Sequence, residues 1–428
     1  MSCPFLILDL KRARKVEIRR LRDDNSLFRK FQRALALKGN IRILLIDSIV
    51  GSIFYGMLNP IWQPFVLSLG ASMAVLGGIR AILSLIGSVS SFFWGRYSDY
   101  MGRKPLIILS NFLRASAFTV CLAAHTWHLL ILYAVLMGLS ASYMQDNPAK
   151  SSLIAESVKR GERGTAYSVL MAFSTAVSAI VAPIGGILAM IYGFYIIFYG
   201  CIAVDLFSSL LVWLFIRETV KRKANKQTEP LPQKSWINSV REIFRLESHL
   251  KGFYVGVIMD SLSWGIAGGI FYGMLVKVHG FSEYQLGLLS TIMLFSWSFS
   301  QIPIGKLMDK YGRKPFLLAS EVIGIITLIG WLFSDNFLYF AVLQFPYGLL
   351  ISTWVPTVSA FLADNVPKES RAEAMGRLQA LRGIISFPSP YIGGILFDSF
   401  GFSAPIIANV VGASLAFLII LLFVKEEK

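Results

Sequence analysis

Gly95-Arg96-Tyr97-Ser98-Asp99-Tyr100-Met101-Gly102-Arg103-Lys104-Pro105 lies between two long apolar runs, and Gly305-Lys306-Leu307-Met308-Asp309-Lys310-Tyr311-Gly312-Arg313-Lys314-Pro315 lies between two others. Gly95, Asp99, Gly102, Arg103, Lys104 and Pro105 thus recur, displaced by 210, as Gly305, Asp309, Gly312, Arg313, Lys314 and Pro315. Ser72, Leu76 and Gly77 recur at the same displacement as Ser282, Leu286 and Gly287. Pro148, Glu156, Val158, Arg163, Ala166, Gly185, Gly186 and Gly193-Phe194 are matched at a displacement of 208 by Pro356, Asp364, Val366, Arg371, Ala374, Gly393, Gly394 and Gly401-Phe402. Chance does not keep a register over such a distance, so the chain is a tandem duplication.

Apolar runs surround these loops near residues 41 to 69, 72 to 95, 105 to 125, 128 to 157, 164 to 192, 195 to 216, 252 to 279, 283 to 305, 315 to 333, 337 to 363, 372 to 399 and 403 to 424. A helix needs about 20 apolar residues to cross a hydrocarbon core of about 30 Å, and barrel strands are much shorter. Every backbone polar group must be satisfied inside lipid, so twelve helices are predicted. The composition agrees: of 428 residues 55% are hydrophobic and 15% charged, with a mean hydropathy of +0.61. Soluble domains average about 25% charged residues, so a soluble globular enzyme is excluded. The fold class expected is an all-α polytopic membrane protein, twelve transmembrane helices in two pseudo-symmetric six-helix bundles. Its divisions are a basic segment 1–40, a bundle 41–216, a linker 217–251, a second bundle 252–424 and a tail 425–428, with no room left in this sequence for a second large soluble domain.

The net charge of +16 raises the question of nucleic acid, and the placement of the 41 Lys and Arg answers it. Twelve fall within residues 1 to 42 and nine between Arg217 and Lys251, whereas the turns near 70, 126, 193, 335 and 401 carry essentially none. That alternation is the positive-inside rule, which places both termini and the linker in the cytoplasm and makes the lipid bilayer, with no nucleic acid, the partner of the basic face. Residues 10 to 38 read either as a helix on the cytoplasmic leaflet, with Leu21, Phe28, Phe31 and Leu35 as its apolar stripe, or as a solvated basic arm. Cys3, Cys121 and Cys201 have no disulfide or metal spacing.

The two loops resemble the signature loop of the major facilitator superfamily, and the resemblance covers about residues 41 to 424. The first copy departs in having Tyr97 and Tyr100 where the family usually has an aliphatic and a basic residue. The resemblance implies a secondary transporter of a small-molecule solute that works by rocking two bundles; a monomer without a cofactor is expected, and carboxylates inside the spans make H+ the expected coupling ion. It also implies a gating relay at the cytoplasmic ends, built from Gly95, Asp99, Gly102, Arg103, Lys104 and Glu156, and repeated in Gly305, Asp309, Gly312, Arg313, Lys314 and Asp364. Physically, the glycines permit tight backbone, Pro105 suits a first helical turn, Asp99 suits a helix amino terminus, and Arg103 needs an anion, for which Glu156 is the candidate. Plain positive-inside charge with local capping is the alternative account.

Eight charges fall inside the spans: Asp47, Arg80, Arg114, Asp146, Lys150, Asp205, Asp260 and Arg382. At about 2.5–3.5 kcal/mol each for an isolated helix, most must be paired or face water. The family usually lines its cavity with helices 1, 4, 7 and 10, which favours Asp47, Asp146, Lys150 and Asp260 for function and a structural pair for Arg114 and Asp205. Tyr143, Asp146, Asn147 and Lys150 follow three-and-four spacing and predict one polar stripe on a fourth helix. That stripe handles substrate or protons, or Asp146 and Lys150 neutralise each other. Asp47 and Asp260 are candidate proton carriers, with helix packing and Na+ ligation as alternatives; Arg80 and Arg382 suit an anionic substrate or a carboxylate partner.

Asn59, Trp62, Gln63, Trp264, Gln344 and Trp354 are candidate pocket residues, with packing as the alternative. Pro60, Pro64, Pro346 and Pro356 should bend the first and tenth helices. Pro183-Ile184-Gly185-Gly186 is partly like the family's antiporter signature. Ala134 stands where many drug/proton antiporters carry an arginine, which counts against that subclass. A primary pump is disfavoured by the lack of a G-x-x-x-x-G-K-[ST] loop, and an embedded enzyme by His125, His128, His249 and His279 having no metal spacing. A non-transporting receptor or scaffold on the same fold is the remaining alternative.

Overall fold

The computed structural model describes residues 39–141, 147–159, 163–219, 244, 246–367 and 370–426. The expected helix over 10 to 38, Tyr143, Asp146 and most of the linker lie outside the described residues. Within them every regular element is helical. The first three spans are Asn40–Ser68, Met73–Met101 and Arg103–Leu122, the fifth and sixth Arg163–Tyr192 and Tyr195–Phe215. The eighth, ninth, tenth and twelfth are Glu283–Tyr311, Lys314–Leu332, Phe337–Asp364 and Ser403–Phe423. Three spans are broken: the fourth into Leu129–Leu139 and Pro148–Ser157, the seventh into Lys251–Gly268 and Phe271–His279, the eleventh into Arg371–Ser386 and Ser389–Phe400.

The repeat explains the span ends. Ser72 and Ser282 are N-caps whose side chains accept from Val75 N and Gln285 N, the second completed into a capping box by Gln285. Gly102 and Gly312 turn the chain between spans with φ of 95° and 91°, a region only glycine enters readily.

The break in the fourth span corrects the predicted stripe. Pro148 has no N–H to give and forces its predecessor out of the helical region, so Asn147 stands at ψ 133° as an N-cap, accepting from Ala149 N. Its amide donates to Ser140 O at 3.1 Å. Asn147 therefore stitches the break and does not share a helix face with Lys150. In the seventh span, Gln63 of the other bundle serves the same purpose: it donates to Gly269 O at 3.2 Å and accepts from Gly273 N at 2.6 Å. Free backbone groups in a membrane must find such partners, which makes Gln63 a clamp and not a pocket residue. The prolines of the first and tenth spans lie inside continuous helices.

The two bundles meet along two related seams, the second span against the eleventh and the fifth against the eighth. A Cβ on Gly77 would lie 2.0 Å from Pro390 O, and one on Gly394 2.1 Å from Met73 O. At the other seam a Cβ on Gly186 would lie 2.4 Å from Glu283 O, and one on Gly287 2.6 Å from Ala182 O. The preceding glycines turn the other way, Gly185 onto Met57 and Gly393 onto Ile266 of their own bundles. Each Gly-Gly pair thus lets one helix approach two neighbours at backbone distance, the packing that joins helices where lipid supplies no hydrophobic drive. Gln63, Thr291 and Asp398 carry hydrogen bonds from bundle to bundle: Thr291 donates to Ala179 O at 2.6 Å, and Asp398 accepts from Met73 N and Ala74 N at 3.2 and 2.8 Å. All three act in the half away from the Gly-Arg-Lys loops, here called the far half.

Gly394→Val should wedge the seam open in that half. With Cys3 replaced by Ser and the buried Cys121 and Cys201 retained, Thr291→Cys at the opposite seam should react several-fold faster with a membrane-impermeant maleimide when Gly394→Val is added. Equal rates would show that the two seams do not open together.

Candidate transport site and gate

Arg103 begins the third span and is largely buried. Its guanidinium meets Glu156 Oε1 at 2.8 Å, near the end of the helix Pro148–Ser157, and also donates to Ser98 Oγ. In the second copy Arg313 meets Asp364 Oδ2 at 3.1 Å and Asp309 Oδ1 at 2.8 Å. The side chain of Asp99 lies outside the described residues. Gly95 and Gly305 have open space around them, whereas Gly102 and Gly312 each leave room for a carboxylate that the sequence reading passed over. Glu218 accepts from Arg103 N at 3.1 Å and Lys104 N at 3.0 Å; Glu426 accepts from Arg313 N at 2.5 Å and Lys314 N at 3.1 Å. Each carboxylate caps a helix amino terminus, where orphan N–H groups and the helix dipole favour an anion. The lysine ammoniums complete the arrangement by donating to Ile216 O and Leu421 O, so each motif ties the end of its bundle's last span to the start of the third. The signal for both glutamates was the displacement of 208 that separates them.

Inside the first bundle two acids meet two bases. Lys150 Nζ lies 3.1 Å from Asp47 Oδ2 and 3.5 Å from Ser48 Oγ. An anion for Lys150 is thus on the first span, across the bundle; Asp146 lies outside the described residues. Arg114 meets Asp205 Oδ1 at 2.6 Å, as the structural-pair reading expects. Tyr55 donates to the other oxygen of Asp205 at 2.7 Å, its ring lies under the Arg114 guanidinium at 5.3 Å, and Asn111 accepts from Arg114 at 2.8 Å. Asn111 donates in turn to Ser208 at 2.9 Å, which lies beside Asp47. Four spans are joined by one polar chain with two acids and two bases.

The second bundle places Asp260 on the seventh span and Arg382 on the eleventh, where Arg382 Nε donates to Ser261 Oγ at 2.7 Å. Beside Asp260 stands Glu321 of the ninth span, 1% exposed, an interior acid that the reading of buried charges omitted although it is the lone acid of the run 315 to 333. The charge of Arg80 on the second span acts on Tyr347 of the tenth, from one bundle to the other. Tyr347 also stacks on Trp264, with centroids 5.6 Å apart, and Trp62 stacks on Tyr133 at 4.2 Å. Gln344 and Trp354 are buried with polar atoms that have no partner among the described residues.

Lys150→Met removes the cation and leaves Asp47 buried alone, which should destabilise the protein by about 3–5 kcal/mol. Asp47→Asn with Lys150→Met should recover most of that loss. Thermal unfolding of the purified variants in detergent reads both; equal melting temperatures for the single and double variants would show that the pair is not held as described.

The family profile described as Major Facilitator Superfamily matches residues 44–259 and 253–428. The chain is 25% identical over 383 residues to the multidrug resistance protein MdtG of Enterobacter lignolyticus, covering 86% of this chain and 88% of that protein. It is 24% identical over 381 residues to MdtG of Yersinia enterocolitica, with the same coverage. In fold it resembles the nucleoside transporter NupG, with a TM-score of 0.69 at 15% identity over 90% of this chain and 98% of that one. A bacterial homologue of the human lysosomal transporter Spinster, in an inward-facing and unoccupied conformation, gives 0.67 at 14% identity over 90% and 94%. The duplicated bundles, the repeated loops and a profile matched in both halves lead to one conclusion: this multi-pass membrane protein belongs to the Major Facilitator Superfamily of secondary transporters.

Proposed function

We propose that the chain exports amphiphilic organic compounds by alternating access, exchanging them for protons, as a monomer in the cell membrane with both termini in the cytoplasm. The carrying observation is the asymmetry of the seam. Glycine-mediated backbone contacts and the Asp398 cap close the far half, which the positive-inside pattern places outside, while the Arg-carboxylate pairs at the basic end join spans of one bundle each. The arrangement is that of a carrier facing inward.

Relatives named for multidrug resistance favour efflux over uptake. Ala134 in place of an arginine does not oppose this strongly, because the second span carries Arg80, whose charge acts on Tyr347 of the other bundle. Arg80, Tyr347 and Trp264 offer a solute one charged and two aromatic contacts from opposite sides. Asp47 and Lys150 neutralise each other in this state and would exchange partners in the other. The gating role belongs to Arg103 and Glu156, with Arg313 and Asp364 as their counterparts. An enzymatic or receptor role has no supporting observation.

Reconstitution into vesicles tests this reading. A fluorescent amphiphile such as ethidium should move against its gradient when a pH gradient is imposed, and the movement should collapse when a protonophore is added. If a panel of amphiphilic cations, anions and neutral compounds stays put while pH gradients persist, the export reading is wrong.

A further inference from the structure

The two bundles differ in their interior charge. In the first, Asp47 pairs with Lys150 and Asp205 with Arg114, and Arg80 of the second span adds a base whose charge acts on Tyr347 of the other bundle. In the second, Arg377 is taken by Glu247 at the basic end, at 2.9 Å, which leaves Asp260, Glu321 and Arg382 in the interior: two acids and one base. Two buried carboxylates beside one guanidinium are expensive to ionise together, which favours a proton or another cation in the cluster.

The geometry says where it sits. Asp260 and Glu321 are 4% and 1% exposed, and their carboxyl groups face each other within hydrogen-bonding reach. Neither oxygen of Glu321 has a donor among the described residues. Two ionised carboxylates at that range repel, whereas one proton between them makes a hydrogen bond and removes the excess charge. Among the surrounding groups, Arg80 of the second span acts on Tyr347 of the tenth. The twelfth span, which packs on the seventh and ninth, has no titratable residue between Ser403 and Phe423; the tenth, packed on the ninth, has Tyr339, Tyr347 and, at its end, Asp364. The eleventh brings Arg382, whose charge acts on Asp260. A metal cation is disfavoured beside that guanidinium, which also occupies the Ser261 hydroxyl.

We propose that Asp260 and Glu321 form a proton-binding site, one proton shared between two carboxyl groups, whose occupancy Arg382 links to the movement of the seam. Arg382 adjoins Gly383, whose Cβ, if present, would lie 1.8 Å from Ser88 Oγ of the other bundle. A contact this close couples the eleventh span at Arg382 to the second span, so a bend of the eleventh span on opening of the seam would move the guanidinium relative to Asp260. A closer guanidinium stabilises both carboxylates and releases the proton; a more distant one retains it. This link rests on the proton-exchange reading above, but the site itself does not.

Infrared spectroscopy of the purified full chain in lipid vesicles reads the proton without any transported solute. The expected result is a carboxylic-acid carbonyl band at neutral pH that is lost on alkaline titration, and that both Glu321→Gln and Asp260→Asn remove. No such band in the wild type, a band kept by both variants, or one removed by sodium at constant pH would overturn the site. In the ethidium assay, Glu321→Gln should lose the response to an imposed pH gradient, and a response equal to the wild type's would overturn the link to the seam. Should the wild type move no amphiphile, the export reading falls and the infrared result still decides the site.

Discussion

Lipid answers no polar group, and that single constraint orders this structure. A helix in hydrocarbon must close its own hydrogen bonds, and wherever it does not, another part of the chain has to supply the partner. The broken fourth span is closed by Asn147 reaching to Ser140, and the broken seventh by Gln63 reaching from the other bundle. The orphan N–H groups at the start of the third and ninth spans are met by Glu218 and Glu426. Charges obey the same demand, which is why Asp47 finds Lys150 and Asp205 finds Arg114, Tyr55 and their neighbours.

The demand also explains how the two halves can hold together and still part. Large interlocked side chains at the seam would have to be unpacked for the bundles to rock. Glycine instead brings smooth backbone surfaces together, as where Gly394 meets Met73 and Gly186 meets Glu283. Few side-chain rotamers are fixed by such a contact, and few hydrogen bonds cross it. Duplication supplies the contact twice, so one rotation of one bundle against the other acts on both seams.

Much of the site was legible because its contacts are short-range or repeated. The two loops, the Arg103 and Arg313 partners and the pairing of Arg114 with Asp205 follow from charge needing charge and from a register kept over half the chain. Glu218 and Glu426 stood in the same register, and Glu321 stood alone in an apolar run, so both signals were present in the sequence. Lys150 was different. Spacing along a helix offers Asp146 one turn away, and nothing in a linear pattern points to Asp47 on another helix.

The sequence by itself determined that this chain spans a membrane twelve times, is built of two copies of one unit and carries more interior charge than lipid tolerates unpaired. Those properties are sums and periods, and the chain order states them completely. Only the tertiary structure decided which acid meets which base, which glycine of each pair faces the other bundle, and that two carboxyls with one arginine converge in the second bundle. The reason is geometric: residues on different helices become neighbours through the rotation and tilt of whole spans, and those are fixed by packing among all twelve at once.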